Sequence, residues 1–149
     1  MAFRWKSVAA GLAALALSAT GAAAQVPGPR ANELMLGLQE QQSGMGQDGF
    51  ARAAGPLYGE LAAGGNRPFP VMLRAGRQYS IAGVCDGRCT DLNLRVADQR
   101  GALVAADTAP DATPQMRVRP EMTGQHVIVV EMASCNAPSC WFAVNIYQR

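Results

Sequence analysis

The sequence predicts an all-β, antiparallel sandwich or barrel of seven or eight strands, preceded by one amphipathic helix. Three observations predict it. Short apolar runs recur after Tyr58, separated by Gly, Pro, Asp and Asn. One of them, "DLNLRVAD", alternates strictly, with Leu92, Leu94 and Val96 on one face and Asn93, Arg95 and Ala97 on the other, as a half-buried strand does. Upstream, "RANELMLGLQEQQ" carries apolar residues at helical spacing.

The first 24 residues read as a secretory signal peptide: a cationic start (MAFRWK), an apolar stretch, and small residues ending in Ala22-Ala23-Ala24. The apolar stretch is shorter than the roughly 20 residues a membrane span needs. Cleavage after Ala24 removes Arg4 and Lys6 and leaves 11 basic against 11 acidic groups. A near-neutral chain without a basic stripe argues against a nucleic-acid binder. The remaining 125 or so residues suit one domain with a single core. No membrane span is expected after Ala24, so the protein is expected to be soluble, in the periplasm or outside the cell.

The division expected is 1–24 as the signal peptide, 25–55 as a helical N-terminal segment and 56–149 as the β domain. The helix is placed at about Ala31 to Gln42, with Ala31, Leu34, Met35, Leu38 and Gln42 on one face. Gly44, Gly46 and Gly49 are expected to end it. In "PFPVML", Phe69, Val71 and Leu73 share a face. "YSIAGV" and "DLNLRVAD" follow, and "DQRG" turns the chain at Gly101. "ALVAAD" and "PQMRVRP" are weaker strands, the second bounded by Pro114 and Pro120 as at an edge. "HVIVVEM" and "WFAVNIY" are the strongest. In the last, Phe142, Val144 and Ile146 oppose Trp141, Ala143 and Asn145.

The four cysteines are Cys85, Cys89, Cys135 and Cys140, and in an oxidising compartment they should pair. The local pairs, Cys85 with Cys89 and Cys135 with Cys140, are preferred because each spans a turn between neighbouring strands. Crossed pairing stays open, since alternating strands would put both turns at one end of the domain. A zinc site fits poorly with export. A redox site wants a Cys-x-x-Cys spacing and a βαβ setting.

"YSIAGVCDGRCTDLNLRVADQRGALVAADTAPDATPQMRV" and "GQHVIVVEMASCNAPSCWFAVNIY" resemble the bacterial pre-peptidase C-terminal domain group. The resemblance covers about Tyr58 to Tyr147. Its most specific parts are Cys85-Asp86, Asp91-Leu92, Asp98, Gly101, Asp107 and the paired Cys135 and Cys140. It departs at Asn93, where the group usually has Asp, and at Ala97, where an aromatic is common. It implies a jelly-roll-type β-sandwich that rides beside secreted peptidases, assisting secretion or binding targets. No peptidase domain accompanies it in this sequence.

No catalytic residue is expected. His126 is the only histidine and reads as structural. None of Ser43, Ser80, Ser134 and Ser139 has a nucleophile-elbow context. Asp86, Asp91 and Asn93 near one turn are the candidates for calcium, and Asp107 and Asp111 lie in another. Aspartate in turns more often bonds nearby backbone N–H groups, so no metal and no cofactor are expected. Tyr58, Trp141 and Tyr147 are the candidates for an exposed aromatic binding patch. The expected function is a non-catalytic binding or accessory module of the cell envelope or extracellular space. Its partner would be a protein or an envelope polymer. The alternative is a structural or secretion-helper domain serving a separate exported enzyme, and a hydrolase using the aspartates ranks last.

Overall fold

The structure, a computed structural model, describes residues 25–149. The expected signal peptide, 1–24, lies outside the described residues. One helix, α1 (Gly28–Gln47), precedes eight strands: β1 (Ala51–Leu61), β2 (Asn66–Leu73), β3 (Tyr79–Cys85), β4 (Cys89–Ala97), β5 (Leu103–Asp107), β6 (Gln115–Val118), β7 (Gly124–Cys135) and β8 (Cys140–Gln148). They form two antiparallel four-stranded sheets, ordered β1-β8-β3-β6 and β2-β7-β4-β5. The first strand pairs with the last, the second with the seventh, the third with the sixth and the fourth with the fifth. This nested pairing is the jelly-roll arrangement of a β-sandwich.

Alternation builds the core. Ile81, Leu92, Leu94, Val96, Ile128, Val130, Met132, Phe142 and Val144 meet between the sheets and are fully buried. β3 and β8 are buried along almost their whole length. Their second face lies under α1, so "YSIAGV" and "WFAVNIY" read as continuous apolar runs. β2 is an edge strand, where Pro68 and Pro70 remove no ladder donor that the sheet needs.

The helix is longer than its sequence signal. Pro29 sits in its first turn and it runs through Gly44 and Gly46 to Gln47, because Met45 buries against Phe50, Ala82 and Tyr147. Gly49, at φ +77°, then reverses the chain. The buried face also differs from the expected one. Leu34 and Leu38 pack on Val84, Trp141 and Ala143, whereas Met35 is 53% exposed and Gln42 points to solvent. Gln41 takes the inner position: its Oε1 accepts the Tyr147 hydroxyl at 3.0 Å. α1 covers one sheet, and Ala51–Gly55 already belongs to β1.

Strand direction sorts the turns into two ends. The tip carries the β3–β4 and β7–β8 turns, the β5–β6 loop and the start of α1. The base carries the β2–β3, β4–β5 and β6–β7 turns, the end of α1 and Arg149.

Candidate functional site

The tip is where the residues singled out by sequence converge. Cys85 bonds Cys89 and Cys135 bonds Cys140, so each bridge closes one turn. The turns are also tied to each other. Cys89 faces Cys135 across the β4–β7 ladder, the Asn136 N–H donates to the Arg88 carbonyl at 2.8 Å, and the Thr90 hydroxyl donates to Ser134 Oγ at 2.8 Å.

Asp86 is the centre of this arrangement and is 1% exposed. Its Oδ1 accepts the Arg88 backbone N–H at 3.0 Å, and its Oδ2 accepts the Arg88 guanidinium at 2.7 Å and the Trp141 N–H at 2.8 Å. Burial alone would push its carboxyl up. The Arg88 guanidinium and the two backbone N–H groups more than offset that, and hold it below the usual aspartate value. Asp86 is thus a turn-building acceptor whose oxygens are already engaged.

The other acids do not gather around it. Asp107 accepts the Ala109 and Gln115 N–H groups, and Asp111 accepts that of Thr113. Asp91 and Asn93 each keep one buried side-chain oxygen without a hydrogen-bond partner. Beside them Glu131 pairs with Arg95 across the sheet, which holds its carboxyl low against the opposing effect of burial. Among the described residues, no three His, Cys, Asp or Glu side chains converge as metal ligands would.

The aromatic patch is corrected. Trp141 is 5% exposed, under Leu34 and Leu38 of α1, and Tyr147 is fully buried beside Met45 and Phe50. Both lie on the face of β8 turned to the helix, and the sequence carried no sign that a helix would cover it. Burial pushes the Tyr147 hydroxyl up, against the Asn145 amide that bonds it. Of the three candidates only Tyr58 is exposed. His126 is buried at the base, its Nδ1 3.1 Å from the Gly124 carbonyl, so that nitrogen carries the proton.

Several residues at the tip were not singled out from sequence. Glu33 reaches from α1 to accept the Gly87 N–H at 2.8 Å, and Glu60 of β1 accepts the Ser139 hydroxyl. Arg88 lies within the cysteine turn and was legible there. Glu33 and Glu60 lie on distant elements and were not.

The balanced charge is unevenly placed. Glu33, Glu60, Asp86, Asp91 and Asp111 belong to the tip, where Arg30 and Arg88 pair with Glu33 and Asp86, whereas Arg52, Arg74, Arg77, Arg119 and Arg149 belong to the base beside Asp48, Asp98 and Glu121. None of those five arginines pairs with a side-chain carboxylate among the described residues. Hollows open at the base, among them a 310 Å³ cavity bordered by Asp98, Arg119 and His126, a 360 Å³ hollow bordered by Gln99, Gly101 and Gln125, and a 620 Å³ groove between the β1 and β2 edges. No helix among the described residues is long and apolar enough to cross a membrane.

No family model matches the chain, and no curated protein matches it. Among solved structures, PliG of Aeromonas hydrophila, a periplasmic lysozyme inhibitor of g-type lysozyme, is similar to it. The two share 12% identity over 67% of this chain and 86% of that one, with a TM-score of 0.47.

Proposed function

We propose that the protein is a non-catalytic, exported binding module that engages a protein or envelope polymer through its stapled tip. One observation carries the reading: two disulfide-closed turns are locked to each other and to α1. A surface already fixed in its bound shape loses little conformational entropy on association, which is how preorganised loops gain affinity. Gly87, Thr90, Asn136 and Pro138 are the exposed residues of that surface. Glu60, Asp91 and Asp111, which no arginine pairs among the described residues, favour a partner with a basic face. Two bridges also suit an oxidising compartment. The accessory role implied by the pre-peptidase C-terminal resemblance is proposed on the same footing.

The test is capture from the cell's own envelope fraction with tip and base variants side by side. Wild-type protein should retain a partner that Thr90→Arg with Asn136→Arg loses, while Arg52→Glu at the base retains it. A partner held equally by the tip variant would overturn the reading.

A further inference from the structure

The groove between β1 and β2 has a composition that the tip does not explain. The two strands are the facing edges of the two sheets, and β1 is irregular there. Its pairing with β8 shifts register between Arg52 and Ala54 and again between Ala54 and Leu57. The edges part above the core: Leu73, 1% exposed, and Ile146, 2% exposed, lie beneath the opening. Leu57 and Val71 form half-buried walls. The volume, 620 Å³, is that of a small-molecule site.

One end of this apolar trough is cationic. Arg74 and Arg77 flank the β2–β3 turn, line the groove and face no carboxylate among the described residues. The Arg74 N–H donates to the Tyr79 hydroxyl at 3.0 Å, which fixes where that end of the turn sits against the groove floor. Guanidinium groups pair bidentately with carboxylate or phosphate oxygens. An apolar trough ending in two unpaired arginines complements one chemistry: a chain with an anionic head.

We propose that this groove binds a single-chain anionic amphiphile, its head on Arg74 and Arg77 and its chain along Leu57 and Val71. The site is at the opposite end of the molecule from the stapled tip and does not depend on it.

The experiment is calorimetric titration of sodium decanoate, below its micelle concentration, into the purified protein. One-to-one saturable binding is expected. It should weaken at least tenfold in Arg74→Gln with Arg77→Gln, and at least tenfold in Ala53→Trp, which fills the trough. All three positions are exposed, so melting temperatures should stay near wild type. Decanol, with no charge, should bind at least tenfold more weakly than decanoate, and acetate, with no chain, should not bind. Decyl phosphate in place of decanoate distinguishes a phosphate head from a carboxylate head, and saturable binding of either supports the site. Absence of saturable binding by both, wild-type affinity in the variants, or acetate binding as tightly as decanoate would overturn it. So would a wild-type dimer that Ala53→Trp splits, since a second copy of the chain would then fill the groove.

Discussion

The Asp86 Oδ2 accepts the backbone N–H of Trp141 at 2.8 Å, and the Trp141 carbonyl accepts the backbone N–H of Asp86 at 2.9 Å. This double link joins the first disulfide turn to the strand that leaves the second. The Trp141 side chain meanwhile lies under Leu34 and Leu38. One residue pair therefore couples the β3–β4 turn, the β7–β8 hairpin and the helix. A sidelong shift of any one of them would break a bond in the other two.

Asp86→Ala should destabilise the protein by about 2–4 kcal/mol, because it strips buried N–H donors and the Arg88 guanidinium of their acceptor. Urea unfolding measures it. Asp111→Ala, which removes only an exposed turn acceptor, should stay within about 1 kcal/mol of wild type.

Acid should destabilise the fold through three carboxylates. Asp86 is held low as described. The Ala102 and Arg100 N–H groups and the Arg100 guanidinium hold Asp98 low against burial, and Arg95 does the same for Glu131. A folded pKa below the unfolded one gives stability that is present above the unfolded value, near about 4. That stability is lost as pH falls through the folded value. Melting temperature should be level from about pH 7 to about pH 5, then fall below about pH 4, less steeply in Asp86→Asn. A melting temperature that rises on acidification would contradict this.

The helix face can be separated from its sequence reading by two substitutions. Leu38→Ala opens a cavity over Val84 and Trp141 and should cost about 2–4 kcal/mol. Met35→Gln, on the exposed side, should change stability by less than about 0.5 kcal/mol. Equal losses would restore the face that the periodicity suggested.

The bridges close turns with sequence separations of four and five residues. Loops this short gain about 2 kcal/mol each in the chain-entropy model. Non-reducing peptide mapping should give Cys85 with Cys89 and Cys135 with Cys140, and Cys135→Ser with Cys140→Ser should lose about that amount.

What could be read from the sequence follows from where alternation survives. β4 and β7 have one face in the core and one outside, so their patterns were plain. β8 was placed correctly, but both its faces are apolar, and nothing in "WFAVNIY" tells a helix-covered face from a binding patch. The first half of β1, "ARAAGP", has too few branched or aromatic residues to read as a strand; its place is set by pairing with β8. In α1, "LMLGL" offers two overlapping apolar stripes, and the burial of Leu34, Leu38 and Met45, with the Gln41–Tyr147 hydrogen bond on the same side, decides between them. The cationic base was hidden for a topological reason. Its arginines are scattered from Arg52 to Arg149, and only the strand order brings them to one end.

Calcium tests a tip feature with unpartnered buried acceptors. Asp91 and Asn93 each hold a buried oxygen without a partner, two residues apart on the outer side of β4. Calcium takes six to eight oxygens, in general. The nearest turn carboxylate, Asp86, spends its oxygens on Arg88 and Trp141, and Glu131 across the sheet is paired with Arg95. Two free oxygens on one strand fall well short of a coordination shell. A bound ion at a hundredfold excess over its dissociation constant would add about 2.7 kcal/mol by mass action. The expected outcome is a melting temperature that is the same in excess calcium and in chelator. A drop of several degrees in chelator, abolished by Asp91→Ala, would instead make this strand face a metal site and Asn93 one of its ligands.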